Sequence, residues 1–158
     1  MEEQYIGELQ KYATDILKKG NQGKPLWMLS KWNCSEVSRI VGLKVLSDLG
    51  VSSKPFILKG NVTVTGLIEE NNHDILGFFD SGSNMYILID PTIWQFFPKM
   101  KKIFLGKFSS VDDILKFVSE YYRGDWKVSE EVDPTLEKEV ADYYKIIKLN
   151  CDQSPNWE

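Results

Sequence analysis

Three residues, taken in chain order, have the types needed for covalent catalysis. Cys34 is one of two cysteines (the other is Cys151), His73 is the only histidine, and Asp90 opens an Asp-Pro-Thr segment. A thiol is a nucleophile as its thiolate, an imidazole can exchange a proton with it, and a carboxylate can fix the tautomer of that imidazole. Each has a plainer reading on its own. A lone cysteine at a helix start is more often a small buried residue, a lone histidine at a strand edge is usually surface or satisfied core, and Asp-Pro-Thr is usually a turn. The chemistry gains weight only if the surrounding elements bring the three together.

The spacing predicts such elements. Asn33 suits a helix N-cap, and Glu36 three places on completes a variant capping box. Val37, Ile40, Val41, Leu43, Val45, Leu46 and Leu49 then mark a helix buried on most sides, with Gly50 as its cap. Cys34 falls in the first turn, where the partial positive charge favours a thiolate and free N–H groups can serve as an oxyanion hole. Gly42 inside this helix implies close approach of another element. Two apolar runs, His73 to Asp80 and Met85 to Asp90, flank Ser81-Gly82-Ser83-Asn84, a hairpin signal. With Ser81 facing Asn84, Ile75 is opposite Asp90 and His73 is its diagonal neighbour on the same face, roughly 7–8 Å away at the backbone. A slip of one residue would separate them onto opposite faces.

The remaining chain frames this centre. Residues 3–19 have the stripe of an amphipathic helix, through Tyr5, Ile6, Leu9, Tyr12, Ala13, Ile16 and Leu17. Residues 21–32 read as an irregular loop whose Trp27 and Trp32 either pad the core or line a cleft before Cys34. Residues 52–60 hold a short strand at Pro55-Phe-Ile-Leu, and Asn61 to Ile68 alternates as a half-buried strand does. Ile103 to Gly106 is a further strand, and Ser110 with Asp113 caps a helix over Val111 to Tyr122. Asp133-Pro134 opens a last helix through Ile147, before a polar tail at 150–158 expected to fray. No repeat or linker divides the chain, so one domain over 1–158 is expected, with a catalytic core at about 30–97 and C-terminal helices over 110–148.

Composition narrows the function classes. The 42% hydrophobic and 27% charged content is that of an ordinary globular protein, and the net charge of −4 argues against a nucleic-acid partner despite Lys99, Lys101 and Lys102. Two cysteines are too few for a disulfide framework. An acidic start without an apolar signal core, and no apolar run of roughly 18 residues, predict no membrane span. The expected location is cytoplasmic, or exported and delivered without a cleaved signal peptide. One histidine, two distant cysteines and scattered carboxylates give no metal-ligand spacing, and no glycine-rich phosphate fingerprint occurs. Neither a metal nor a cofactor is therefore expected.

A cysteine at the start of a buried helix, histidine on one strand and Asp-Pro-Thr at the end of the next resembles the transglutaminase-like and papain-like superfamily. The segment Asp90-Pro91-Thr92-Ile93-Trp94-Gln95-Phe96 looks particularly like papain-fold toxin and effector domains of bacteria, which include protein-glutamine deamidases. The resemblance implies an α+β fold with a buried N-terminal catalytic helix packed on an antiparallel sheet with flanking helices. It implies nucleophile Cys34, base His73 and orienter Asp90, and brings Gln95 to the site because it stands five places after the aspartate. Asn33 is a further oxyanion or substrate residue, and Trp32 and Trp94 are expected to line the cleft. Trp32-Asn33 stands where many relatives have a glycine-rich approach, and Asp74-Ile75 where an aromatic residue often follows the histidine.

The activity expected is hydrolysis of glutamine side chains of a protein substrate, one with a basic or neutral face. A cysteine peptidase and a transglutaminase would share the same thioester. The rival class is a non-catalytic binding protein whose partner surface is formed by the tryptophans and Trp94-Gln-Phe-Phe.

Overall fold

The computed structural model describes residues 3–18, 29–30, 33–63 and 72–133. Among those residues it has three α-helices and one five-stranded antiparallel sheet, an α+β architecture, and residues 29–30 are also helical where an irregular loop is expected. The helices are α1 (Glu3–Lys18), α2 (Cys34–Leu49) and α3 (Val111–Tyr121). The strands are β1 (Phe56–Asn61), β2 (Asn72–Asp80), β3 (Met85–Asp90), β4 (Phe104–Phe108) and β5 (Trp126–Glu131), in the spatial order β4-β3-β2-β1-β5.

The hairpin forms in the expected register. Leu76 pairs with Ile89 and Asp80 with Met85, so His73 and Asp90 share a face. Asp80 caps the turn by accepting from the Ser83 hydroxyl at 2.7 Å, and Asn84 takes the left-handed conformation that asparagine tolerates (φ 55°). Alternation then assigns each face. Asp74, Leu76 and Phe78 face α2, where the Ser38 hydroxyl donates to the Asp74 carbonyl at 3.0 Å. A Cβ on Gly42 would lie 3.1 Å from Leu76 Cδ1 and 3.0 Å from Val132 Cγ2, which is the close approach expected of that glycine. α1 packs on the outer side of α2, with Leu9, Ala13, Ile16 and Leu17 buried. The opposite face carries His73, Asp90, Phe104 and Phe108, and α3 covers part of it, with Phe117 stacked on Phe104. The core thus fills two layers, one on each side of β2, whose residues from His73 to Phe78 are all buried.

Several expectations change. Asn33 stands before α2 but makes no side-chain cap; its Nδ2 donates to the Leu29 carbonyl at 2.7 Å. The capping box with Glu36 is therefore absent. The strand expected from Asn61 to Ile68 is also absent where it is described. Asn61 ends β1, and Thr63 N–H bonds the Tyr122 carbonyl, drawing the chain toward the end of α3 instead of along a sheet. Residues 64–68 of that strand, the helix expected from Pro134 to Ile147, the tail, Trp27, Trp32 and Cys151 lie outside the described residues. β5 has no counterpart in the expectations. Its side chains are mostly exposed, so it lacks the strong apolar alternation that marks a buried strand. No helix among the described residues is long and apolar enough to cross a membrane.

Candidate active site

The site assembles where the N-terminus of α2 meets the ends of β2 and β3. Cys34 is a free, half-buried thiol in the first turn of α2, and its Sγ reaches the Asn72 carbonyl at 4.0 Å. Asn33 O accepts the first intrahelical bond from Val37 N–H at 3.0 Å, so the earlier N–H groups of this turn have no partner within the helix. His73 is fully buried. Its Nε2 bonds Asp90 Oδ2 at 2.7 Å, which realises the diagonal pairing and leaves Nδ1 as the ring nitrogen available to the thiol. Nδ1 is buried and has no hydrogen-bond partner among the described residues. Thiol–imidazole contacts of this kind are commonly loose before substrate binds.

Asp90 is held from several sides. Its Oδ2 also accepts the Tyr122 hydroxyl, and its Oδ1 accepts Thr92 N–H at 3.1 Å and the Thr92 hydroxyl at 3.4 Å. A carboxylate with these donors is locked in orientation, and so is the imidazole it holds. Burial acts to lower the His73 pKa, but the Asp90 charge and its hydrogen bond outweigh burial, and the nearby Cys34 thiol adds to them. The result is a pKa pushed up to about 10, so the ring is an imidazolium at neutral pH. The Tyr122 phenol is shifted well upward by burial and by Asp90, which keeps it protonated as a donor.

Aromatic rings close the rest of the surroundings. Phe96, Tyr122 and Trp126 lie with ring centroids 4.8, 5.6 and 6.3 Å from that of His73. Trp126 reaches this position because its cross-strand neighbour is Gly60, which itself pairs with His73 on β2. A Cβ at Gly60 would stand 2.1 Å from the indole. The missing side chain is what lets the tryptophan lie across β1 toward the histidine. A pocket of about 390 Å³ opens beside it, lined by Gly60, Asn61, Asn72, Asp125, Trp126 and Lys127 among others. Asn72 joins this pocket to Cys34.

The other expected site residues fare differently. Trp94 is buried, at 2% exposed, and its Nε1–H donates to the Met100 carbonyl at 2.7 Å. Its ring belongs to the core, and it is Trp126 that lines the pocket near His73. Asn33 is buried, with its amide engaged on Leu29. Gln95 ends a single 3-10 turn, Ile93–Gln95, just before Phe96, whose ring packs on His73; its Oε1 is buried without a hydrogen-bond partner among the described residues. Sequence reasoning missed Tyr122, Thr92 and Trp126. Thr92 was legible in principle, because an Asp-Pro-Thr turn returns the threonine N–H to the aspartate carboxylate. Tyr122 comes from an element more than thirty residues away in sequence and leaves no local signal. Among the described residues, no group of three or more His, Cys, Asp or Glu is placed to hold a metal ion.

Comparison with protein-family models, curated proteins and solved structures finds no match to this chain.

Proposed function

We propose that this protein is a cysteine-dependent acyl-transfer enzyme of papain-like or transglutaminase-like type, with protein glutamine side chains as its favoured substrate. One observation carries the reading. A fully buried imidazole is clamped at Nε2 by Asp90, with Nδ1 left for a thiol in the first turn of a helix. A satisfied core histidine would have both nitrogens engaged.

The chemistry follows from that arrangement. Cys34 Sγ, as thiolate beside the imidazolium, attacks the carboxamide carbon, and N–H groups of the first turn of α2, which make no intrahelical bond, hold the oxygen as it gains charge. The C–N bond breaks while His73 gives its proton to the departing nitrogen, releasing ammonia and leaving a thioester. A water then adds to the thioester carbon, the neutral His73 takes its proton, and the S–C bond breaks to free a glutamate side chain. Asp90 keeps the ring oriented throughout and stabilises its charged form. The indole of Trp126 offers a flat wall for the aliphatic stem of the substrate side chain, and the preference for glutamine rests on the resemblance of the segment Asp90 to Phe96.

The test is incubation with candidate protein substrates of neutral or basic surface, read by mass spectrometry. Conversion of a glutamine amide to acid by the wild type, absent with Cys34→Ala, is expected. Incorporation of an added amine would make the enzyme a transglutaminase, and chain cleavage would make it a peptidase. Full biological effect retained by Cys34→Ala would replace the enzyme by a binding protein.

A further inference from the structure

A second buried polar group lies on the opposite face of β2 from His73. Arg39 is 5% exposed and sits one turn along α2 from the nucleophile. Its Nη1 donates to the Ser35 carbonyl at 3.0 Å, to Ser35 Oγ at 2.6 Å and to Asp74 Oδ2 at 2.8 Å; its Nη2 donates to Glu130 Oε1. Ser35 follows Cys34 in the chain, and Asp74 follows His73. One planar guanidinium therefore spans the residues next to both members of the proposed thiol–imidazole pair.

The third arm depends on a specific distortion of the sheet. β1 and β5 pair as Leu58 with Val128 and then Ile57 with Glu130, so Ser129 is an extra residue in a β-bulge. Without it, Glu130 would share a face with Val128, on the side away from α2. The bulge turns Glu130 over to meet Arg39. The same strand carries Trp126 against His73.

We infer that Arg39 is a positioning residue that sets the separation of Cys34 from His73 by tying the first turn of α2 to β2 and β5. This rests on the acyl-transfer reading of the site. A Lys side chain lacks the fork needed to hold Ser35, Asp74 and Glu130 at once.

A double-mutant cycle on Cys34 alkylation tests it. Iodoacetamide labelling is followed across pH by peptide mapping that separates Cys34 from Cys151, in wild type, His73→Gln, Arg39→Met and the double variant, each checked for a cooperative melt. Arg39→Met is expected to slow labelling at pH 7 at least fivefold, and His73→Gln should then add little, because the coupling is already lost. Arg39→Lys is expected to restore part of the rate. A folded Arg39→Met protein with the wild-type pH profile, or fully additive effects, overturns the inference. If Arg39→Met fails to fold, Arg39→Lys and Ser35→Ala carry the test, and wild-type coupling in both overturns it. A profile unchanged by His73→Gln in the wild-type background sinks the thiol–imidazole reading itself, and the Arg39 inference with it.

Discussion

Replacing Asp90 by Asn keeps the shape of the side chain and removes its charge, so it isolates what the carboxylate does for His73. Two donors, His73 Nε2–H and the Tyr122 hydroxyl, converge on Oδ2, while Thr92 N–H and hydroxyl converge on Oδ1. An amide can keep the Thr92 bonds through its oxygen, but its NH₂ then faces two former donors. Breaking a buried charged pair from one side costs about 3–5 kcal/mol. The ring can relieve part of this by moving its proton to Nδ1 and accepting at Nε2, so the lower end, about 3 kcal/mol, is expected. Such a loss is a large fraction of the roughly 5–15 kcal/mol of a typical domain, but leaves a folded protein. The chemical effect is larger than the structural one. Without the Asp90 charge, burial is opposed only by the smaller effect of Cys34, so the ring is expected to be neutral at pH 7, with its proton on Nδ1. A thiol is alkylated as its thiolate, a form that a facing imidazolium stabilises and a neutral ring does not. The stronger nucleophilicity of the more basic thiolate offsets part of that difference, so Cys34 alkylation should slow by roughly tenfold. The assay is iodoacetamide labelling at pH 7 with peptide mapping, beside a denaturant melt. A folded Asp90→Asn protein that labels at the wild-type rate over the whole pH range would refute the argument.

Two further outcomes follow from the same geometry. The folded His73 pKa of about 10 lies above the ordinary 6.5, so its stabilising effect is complete below pH 6.5 and is lost as pH rises through 10. Between those values stability should fall by up to about 1.4 kcal/mol per pH unit, a slope that His73→Gln should flatten in denaturant melts at pH 6.5, 8 and 9.5; equal slopes would refute it. Gly60→Ala sets a methyl 2.1 Å from the Trp126 indole and should cost about 1–3 kcal/mol by overpacking. The displaced indole should raise KM for the substrate more than it lowers kcat, and unchanged kinetics in the folded variant would remove Trp126 from the cleft wall.

The central hairpin and its face assignment were legible because they depend on local chemistry. Ser81-Gly82-Ser83-Asn84 fixes a turn, a two-residue side-chain period carries the register outward, and His73 and Asp90 necessarily emerge on one face. The helix from Cys34 to Leu49 was legible from its apolar pattern. Its side-chain cap was not, because Asn33 takes a backbone conformation (φ −108°, ψ 4°) other than the extended one of a capping residue, with its amide turned to Leu29. Trp94 looked like a cleft residue beside Gln95, yet its ring is buried and its indole N–H donates to the Met100 carbonyl.

By itself, then, the sequence determined which residues could form a Cys34–His73–Asp90 group, since residue type, turn chemistry and strand register are properties of neighbouring residues. Only the tertiary structure decided what holds that group in place. The Tyr122 hydroxyl on Asp90, the Trp126 indole across Gly60, and the Arg39 guanidinium between Ser35, Asp74 and Glu130 all join segments distant along the chain. Such contacts depend on how α3 and β5 dock against β1 and β2, and on a one-residue bulge at Ser129 that reverses a face. No local pattern encodes these placements, because each is settled by which partner a buried polar or aromatic group meets once the core has closed.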